Sequence, residues 1–281
     1  MSGGPVPFRL ANVGGPPSTR ICRIYSTGYH FVLKKIRASR SVSTVPESWI
    51  RDVISTIDGE TVFVHAGLSA INAAFDGDPY EFLRSVLHEA FDTILVPGFT
   101  DYFRHSGTYC KAHSKPNTGT FAKLLLADAE HRTSDPMRSI IVDGPYRFDD
   151  CNSSHSYGRN SCFGKLDADN VPILNVGTPW LVCSQLHFLE HQYDVPYMES
   201  RPFEGVVLTP GAKAGRKITQ HTSVPTELSV WNYRKIEQKL EREGAMRCYQ
   251  KHGLRVLITR AKDLRSVLGP ELERDPYWLV R

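Results

Sequence analysis

The feature that most constrains this chain is an alternation that begins near Ile50. Short apolar, β-branched runs take turns with longer segments whose apolar residues recur at helical spacing. Residues 61–64, 93–97, 139–142, 171–176 and 254–259 read as buried strands, because a run of Val, Ile and Leu suits a pleated surface covered on both sides. Residues 118–129, 184–191, 231–243 and 261–268 read as helices. The helix after Asp78 carries its own start signal, with Asp as N-cap, Pro79 at the first position and Glu81 at the third. Such alternation predicts an α/β fold with a mixed central sheet and flanking helices. Residues 1–45, whose first part is rich in Gly and Pro, read as an N-terminal tail or extension, and 46–281 as a single domain. The stretch 209–225 reads as an exposed excursion.

Composition removes several classes of function. Of 281 residues, 41% are hydrophobic, enough for one large core, and the net charge of +4 is spread along the chain. The nearest basic cluster is Lys34, Lys35, Arg37 and Arg40. It lacks the interleaved aromatics of a nucleic-acid face and reads as a solvated edge, so no nucleic-acid partner is expected. The six cysteines form no CxxC pair, which fits reduced thiols. The N-terminus has no apolar signal region, and no run approaches the ~20 apolar residues that span a bilayer. The expectation is a cytoplasmic protein with no membrane partner.

Three places could carry chemistry. His65 ends a strand and is followed by Gly67, Leu68 and Ser69, a loop whose backbone N–H groups can approach a ligand. A lone histidine at a strand end is more often a satisfied structural group. Thr118, Gly119, Thr120 and Phe121 begin a helix, and a helix N-terminus suits a phosphate. The dinucleotide fingerprint and the P-loop pattern are absent. In the segment 185–191, His187, Glu190 and His191 lie on one helical face. One reading makes His187 a general base with Glu190 orienting its ring. The other is the H-x-x-E-H pattern of zinc hydrolases, with His187 and His191 as ligands and a downstream carboxylate from Glu237, Glu241 or Glu243 as the third.

The order of these segments resembles the aminoglycoside 3-N-acetyltransferase family. Val64-His65-Ala66-Gly67-Leu68 stands where that family has V-H-S-S-L. Arg132-Thr133-Ser134-Asp135-Pro136 stands for R-S-x-H-P, and residues 158–166 for G-x-x-S-P-F-x-K-L. Leu186-His187-Phe188-Leu189-Glu190 stands for L-H-x-x-E, and Asp194-Val195-Pro196 for D-[IV]-P. The likeness covers roughly residues 50–205, and no family motif is carried beyond Val206. It implies an acetyl-CoA-dependent N-acetyltransferase, distinct in fold from the GNAT enzymes, acting on a primary amine of an amino sugar or aminoglycoside by direct transfer.

On that resemblance His187, Glu190 and His65 are catalytic. Gly67, Leu68, Ser69, Thr118, Gly119, Thr120 and Phe121 bind acetyl-CoA, and Asp135 and Asp194 bind the acceptor. No metal is expected, and the family likeness leaves room for a homodimer. Two departures matter. The family serines are Ala66 and Gly67, and the histidine of R-S-x-H-P is Asp135, which suits a relative working on other amino sugars better than an antibiotic-resistance enzyme. The alternatives are the zinc hydrolase and a non-catalytic homologue that binds coenzyme A or a sugar.

Overall fold

A computed structural model describes residues 42–117, 119–152, 154–209, 211 and 214–280. In chain order the helices are α1 (Glu47–Ile54), α2 (Leu68–Ala74), α3 (Pro79–Ala90), α4 (Phe103–Ser106), α5 (Thr120–Asp128), α6 (Cys162–Ala168), α7 (Gln185–Gln192), α8 (Tyr233–Arg242) and α9 (Ala261–Arg274). The strands are β1 (Thr61–Ala66), β2 (Thr93–Pro97), β3 (Thr108–Cys110), β4 (His131–Arg132), β5 (Ile140–Asp143), β6 (Pro172–Val176), β7 (Met198–Leu208), β8 (Arg216–Pro225), β9 (Met246–Lys251) and β10 (Leu254–Arg260).

Seven strands form a mixed sheet in the order β4-β5-β2-β1-β6-β10-β9. Its centre is parallel: β1 pairs β2 on one side and β6 on the other. Antiparallel pairs close both flanks. The alternation of side chains along β1 divides the core. Val62 and Val64 point to a layer built by α1, α2, α3 and α5, while Phe63 points to a layer built by α6, α7, α8 and α9. Every residue from Val62 to Val64 is at most 1% exposed, the mark of a strand buried on both faces.

The Asp78 side chain accepts from the amides of Tyr80 and Glu81 at 2.8 and 3.0 Å, so the sequence start signal of α3 is used as written. A cap of this kind is worth about 1 kcal/mol. The stretch 209–225 departs from its expected role as an exposed excursion. Most of it is β8, which pairs antiparallel with β7 from Pro225 back to Arg216 and buries Gln220, Thr222, Ser223 and Val224. With β3 these strands make a second, three-stranded sheet over Phe103, Tyr109, Met137 and Val207. At the other end, Val45 is 2% exposed and its amide donates to Ala74 O, so packing starts ahead of residue 46. Residues 1–41, the rest of the expected tail, lie outside the described residues. Among the described residues no helix is long and apolar enough to cross a membrane.

Candidate active site

Three parallel strands at the centre of the sheet end on the same side. Ligands in open α/β sheets gather at the carboxyl ends of such strands, where the chain leaves in opposite directions from one strand to the next. Here that place is the end of β1, between β2 and β6. His65 lies there, across from Asn175 of β6. Burial leaves His65 only 5% exposed and pushes its pKa down to about 3. Its Nε2 and the Nδ2 of Asn175 are both buried without a hydrogen-bond partner among the described residues.

Gly67 is explained by packing. Its amide donates to Val176 O at 2.8 Å, and a Cβ on it would stand 2.4 Å from the carbonyl oxygen of Gly177. Close backbone approach between the ends of β1 and β6 therefore demands glycine. Leu68 and Ser69 open α2, with the Leu68 side chain in the core. Gly119 differs: it has φ +77°, and a Cβ built on it would make only ordinary contact, with Ala122 Cβ at 3.8 Å. It caps α5, whose first residues are Thr120 and Phe121, and the Asn117 amide anchors this start to Phe99 O past the end of β2. Thr118 lies outside the described residues.

After β6 the chain turns through residues 177–184 into α7. Asn175 shapes this turn through its Oδ1, which accepts from the Val182 amide at 2.8 Å and from the Thr178 hydroxyl at 3.2 Å. Glu237 of α8 holds it from the other side by accepting from the Leu181 amide at 2.7 Å. On α7, His187 Nδ1 is 2.7 Å from Glu190 Oε2. The His187 side chain is 33% exposed and that of Glu190 is 1% exposed. An ionised carboxylate only accepts, so the proton of a neutral His187 sits on Nδ1 and Nε2 carries the free lone pair. Trp231 donates its indole N–H to Glu190 Oε1 at 2.6 Å, and its ring lies 4.6 Å from that of His187. Tyr157 flanks the imidazole at 5.5 Å. Burial, together with the Glu190 charge, pushes the Tyr197 hydroxyl pKa up.

The two histidines are joined by aromatic contacts rather than by a hydrogen bond. His65 meets Phe63 at 5.1 Å, Phe63 meets Phe163 at 6.2 Å, Phe163 meets Tyr157 at 5.1 Å, and Tyr157 meets His187. The two remaining sequence candidates sit on the turn after β4 and just past α7. Asp135 is 4% exposed, and its Oδ1 closes a turn by accepting from the Met137 and Arg138 amides at 2.7 and 2.9 Å. Burial raises its pKa against those bonds. Asp194 is exposed, in the left-handed region at φ 46°, where it ends α7.

The zinc geometry is not assembled. His191 stacks on His155 at 3.9 Å, Glu190 is taken by His187 and Trp231, and Glu237 is tied to Arg255 at 2.9 Å. Among the described residues no three His, Cys, Asp or Glu side chains converge to hold a metal ion. Sequence reading missed Trp231 and Tyr157. Neither carries a local signal, since each joins the site from a distant stretch of chain. It also missed a cavity of about 150 Å³ whose lining includes Lys111, His131, Thr133 and Ser134. Burial lowers the pKa of both Lys111 and His131 there.

The family model described as aminoglycoside 3-N-acetyltransferase matches residues 63–269. Among solved structures, AAC-IIIb in a binary complex with CoASH superposes with a TM-score of 0.68 at 17% identity, covering 83% of this chain and 97% of that one. The aminoglycoside acetyltransferase AAC(3)-Xa gives a TM-score of 0.66 at 19% identity over 91% and 99% of the two chains. The YokD protein from Bacillus subtilis gives 0.64 at 16% identity over 83% and 96%. The comparison with curated proteins finds no match.

Proposed function

This chain belongs to the aminoglycoside 3-N-acetyltransferase family, an acyltransferase family, and from that premise we propose that it moves the acetyl group of acetyl-CoA to a primary amine of an amino sugar or aminoglycoside, with His187 as general base. The observation that carries this reading is the 2.7 Å pairing of a partly exposed imidazole with a buried carboxylate. An amine at neutral pH is an ammonium ion and must shed a proton before its nitrogen can attack a thioester carbonyl. His187 Nε2 takes that proton while Glu190 stabilises the imidazolium that forms. The C–N bond forms, the C–S bond breaks, the proton held by His187 goes to the departing coenzyme A sulfur, and the second nitrogen proton, shed as the amide forms, passes through the freed imidazole to solvent. Transfer is direct, with no acyl-enzyme.

The acetyl-CoA assignment draws support from family membership and from CoASH in the AAC-IIIb structure. On this chain, Gly119, Thr120 and Phe121 offer a helix start led by a glycine at positive φ. Leu68 and Ser69 supply the first-turn amides of α2 for the pantetheine arm and the developing oxyanion. His65, held neutral, contributes a hydrogen-bonding position at Nε2 rather than a base. Asp135 shapes the wall through its turn, and Asp194 is an exposed carboxylate available to a second ammonium group of the acceptor.

Thermal unfolding with and without acetyl-CoA tests the first half of this reading. A ligand bound only by the native state, at 100 times its Kd, stabilises by about 2.7 kcal/mol. The expected result is a raised midpoint, and an unchanged midpoint at millimolar acetyl-CoA overturns the cofactor assignment. A screen of amino sugars and aminoglycosides, read by release of free thiol, tests the second half.

A further inference from the structure

Glu190 has two carboxylate oxygens and one of them is engaged from outside the helix that carries it. Oε2 faces His187, three residues earlier on α7, and Oε1 accepts from Trp231, 41 residues further along the chain. With its side chain 1% exposed, Glu190 cannot turn to water to satisfy the second oxygen. The indole fills that need with a donor only, so it cannot compete with His187 for a proton. We propose that Trp231 is a positioning residue of this site, whose N–H pins Glu190 so that the other oxygen stays on His187 Nδ1. This inference rests on the acetyl-transfer reading given above.

Two features make Trp231 suited to the task. Its backbone is fixed: the next amide, of Asn232, donates to Leu279 O at 2.8 Å, and the Asn232 side chain caps α8 by accepting from the Lys235 amide at 3.1 Å. Its ring packs obliquely on the imidazole at 46°, opposing rotation of His187 out of line. The C-terminal part of the chain thus reaches into the base through one hydrogen bond and one ring contact.

The test uses the full-length protein. Trp231→Phe keeps an aromatic ring and removes the N–H. A hydrogen bond to a charged group governs orientation strongly enough that kcat should fall about tenfold or more, with KM for acetyl-CoA unchanged. In a Glu190→Gln background the same change should cost little further, because the two groups act as a unit. A merely structural tryptophan would instead add its effect in both backgrounds and move KM as well, which overturns the proposal. A second measurement needs no turnover. The chain has four tryptophans, so ¹⁵N-labelled protein should give four indole signals, and the one that disappears in Trp231→Phe should shift upfield in Glu190→Gln. If it does not move, the hydrogen bond is absent and the proposal fails, even should Trp231→Phe prove too unstable to assay. If no variant and no wild-type protein turns over any acceptor while the indole signal does move, it is the acetyl-transfer reading that fails and not the bond.

Discussion

Two histidines stand on either side of one aromatic layer, and their surroundings assign them opposite roles. His65 is embedded in a parallel strand, in register with Asn175, with no charged partner and a pKa near 3. His187 sits on a helix, a third exposed, with a buried carboxylate on one nitrogen and the other nitrogen free. A strand position in the sheet centre desolvates an imidazole from both faces, which penalises the charged form. A helix position can place a carboxylate three residues away on the same face, within hydrogen-bond reach of the ring. Residue type alone gives the two equal standing as bases. Solvation separates them: His65 is buried, whereas the His187 ring reaches solvent beside its carboxylate, the contrast on which the proposed base assignment rests.

The largest effect that would break this comparison is on turnover. His187→Ala should lower kcat by about 10²–10⁴-fold, the usual worth of a general base, while acetyl-CoA still raises the unfolding midpoint. His65→Gln should cost less than about tenfold, below that range. Steady-state kinetics on both variants decide it, and equal losses would mean that the strand-end histidine also handles a proton. A smaller effect sharpens the structural half of the comparison. Gly67→Ala places a methyl group 2.4 Å from the Gly177 carbonyl, where neither partner is a flexible side chain. Overpacking of this sort costs about 1–3 kcal/mol, read as a lower urea midpoint. An unaffected midpoint would show that the ends of β1 and β6 can part, so the floor beneath His65 is less rigid than the packing indicates.

What the sequence made legible follows the range of the forces involved. Five of the seven strands of the main sheet, β1, β2, β5, β6 and β10, were legible as apolar runs rich in β-branched residues, and α3 from its cap and proline, because those signals act within a few residues; the short β4 and the polar β9 were not. The His187–Glu190 pair was legible for the same reason, being a contact within one helical turn. The hairpin of β7 and β8 was not. Its strands mix Arg, Glu, Gly and Pro with apolar residues, and its burial comes from β3 and from the turn at 132–137 rather than from its own pattern. Gly67 was read as a ligand loop because glycine looks alike in sequence whether it admits a ligand or a neighbouring backbone. Trp231 and Tyr157 reach His187 only after two sheets and the C-terminal helices have packed, so no local pattern announces them.

The subtlest test concerns protons taken up on unfolding. In the native state burial holds His65 down to about 3 and His155 to about 4, the latter also pressed by the neighbouring His191 and His221, against an ordinary value of 6.5. Above pH 6.5 both folded and unfolded chains carry these rings neutral, and the stability is fully present. As pH falls below 6.5 the unfolded chain binds protons that the native protein refuses, so stability declines toward pH 4. Asp135 works the other way, because its raised pKa lets the folded carboxyl keep a proton more readily than the unfolded one. The histidines extend over the wider window and should set the sign. Urea midpoints between pH 7 and pH 4 should therefore fall for the wild-type chain and fall less steeply for His65→Gln. The residual slope would belong to His155 together with His131 and His191, which burial also holds below the ordinary value. Parallel slopes for the two proteins would mean that His65 accepts a proton without loss of structure. The contrast with His187 would then rest on the Glu190 partner alone rather than on burial.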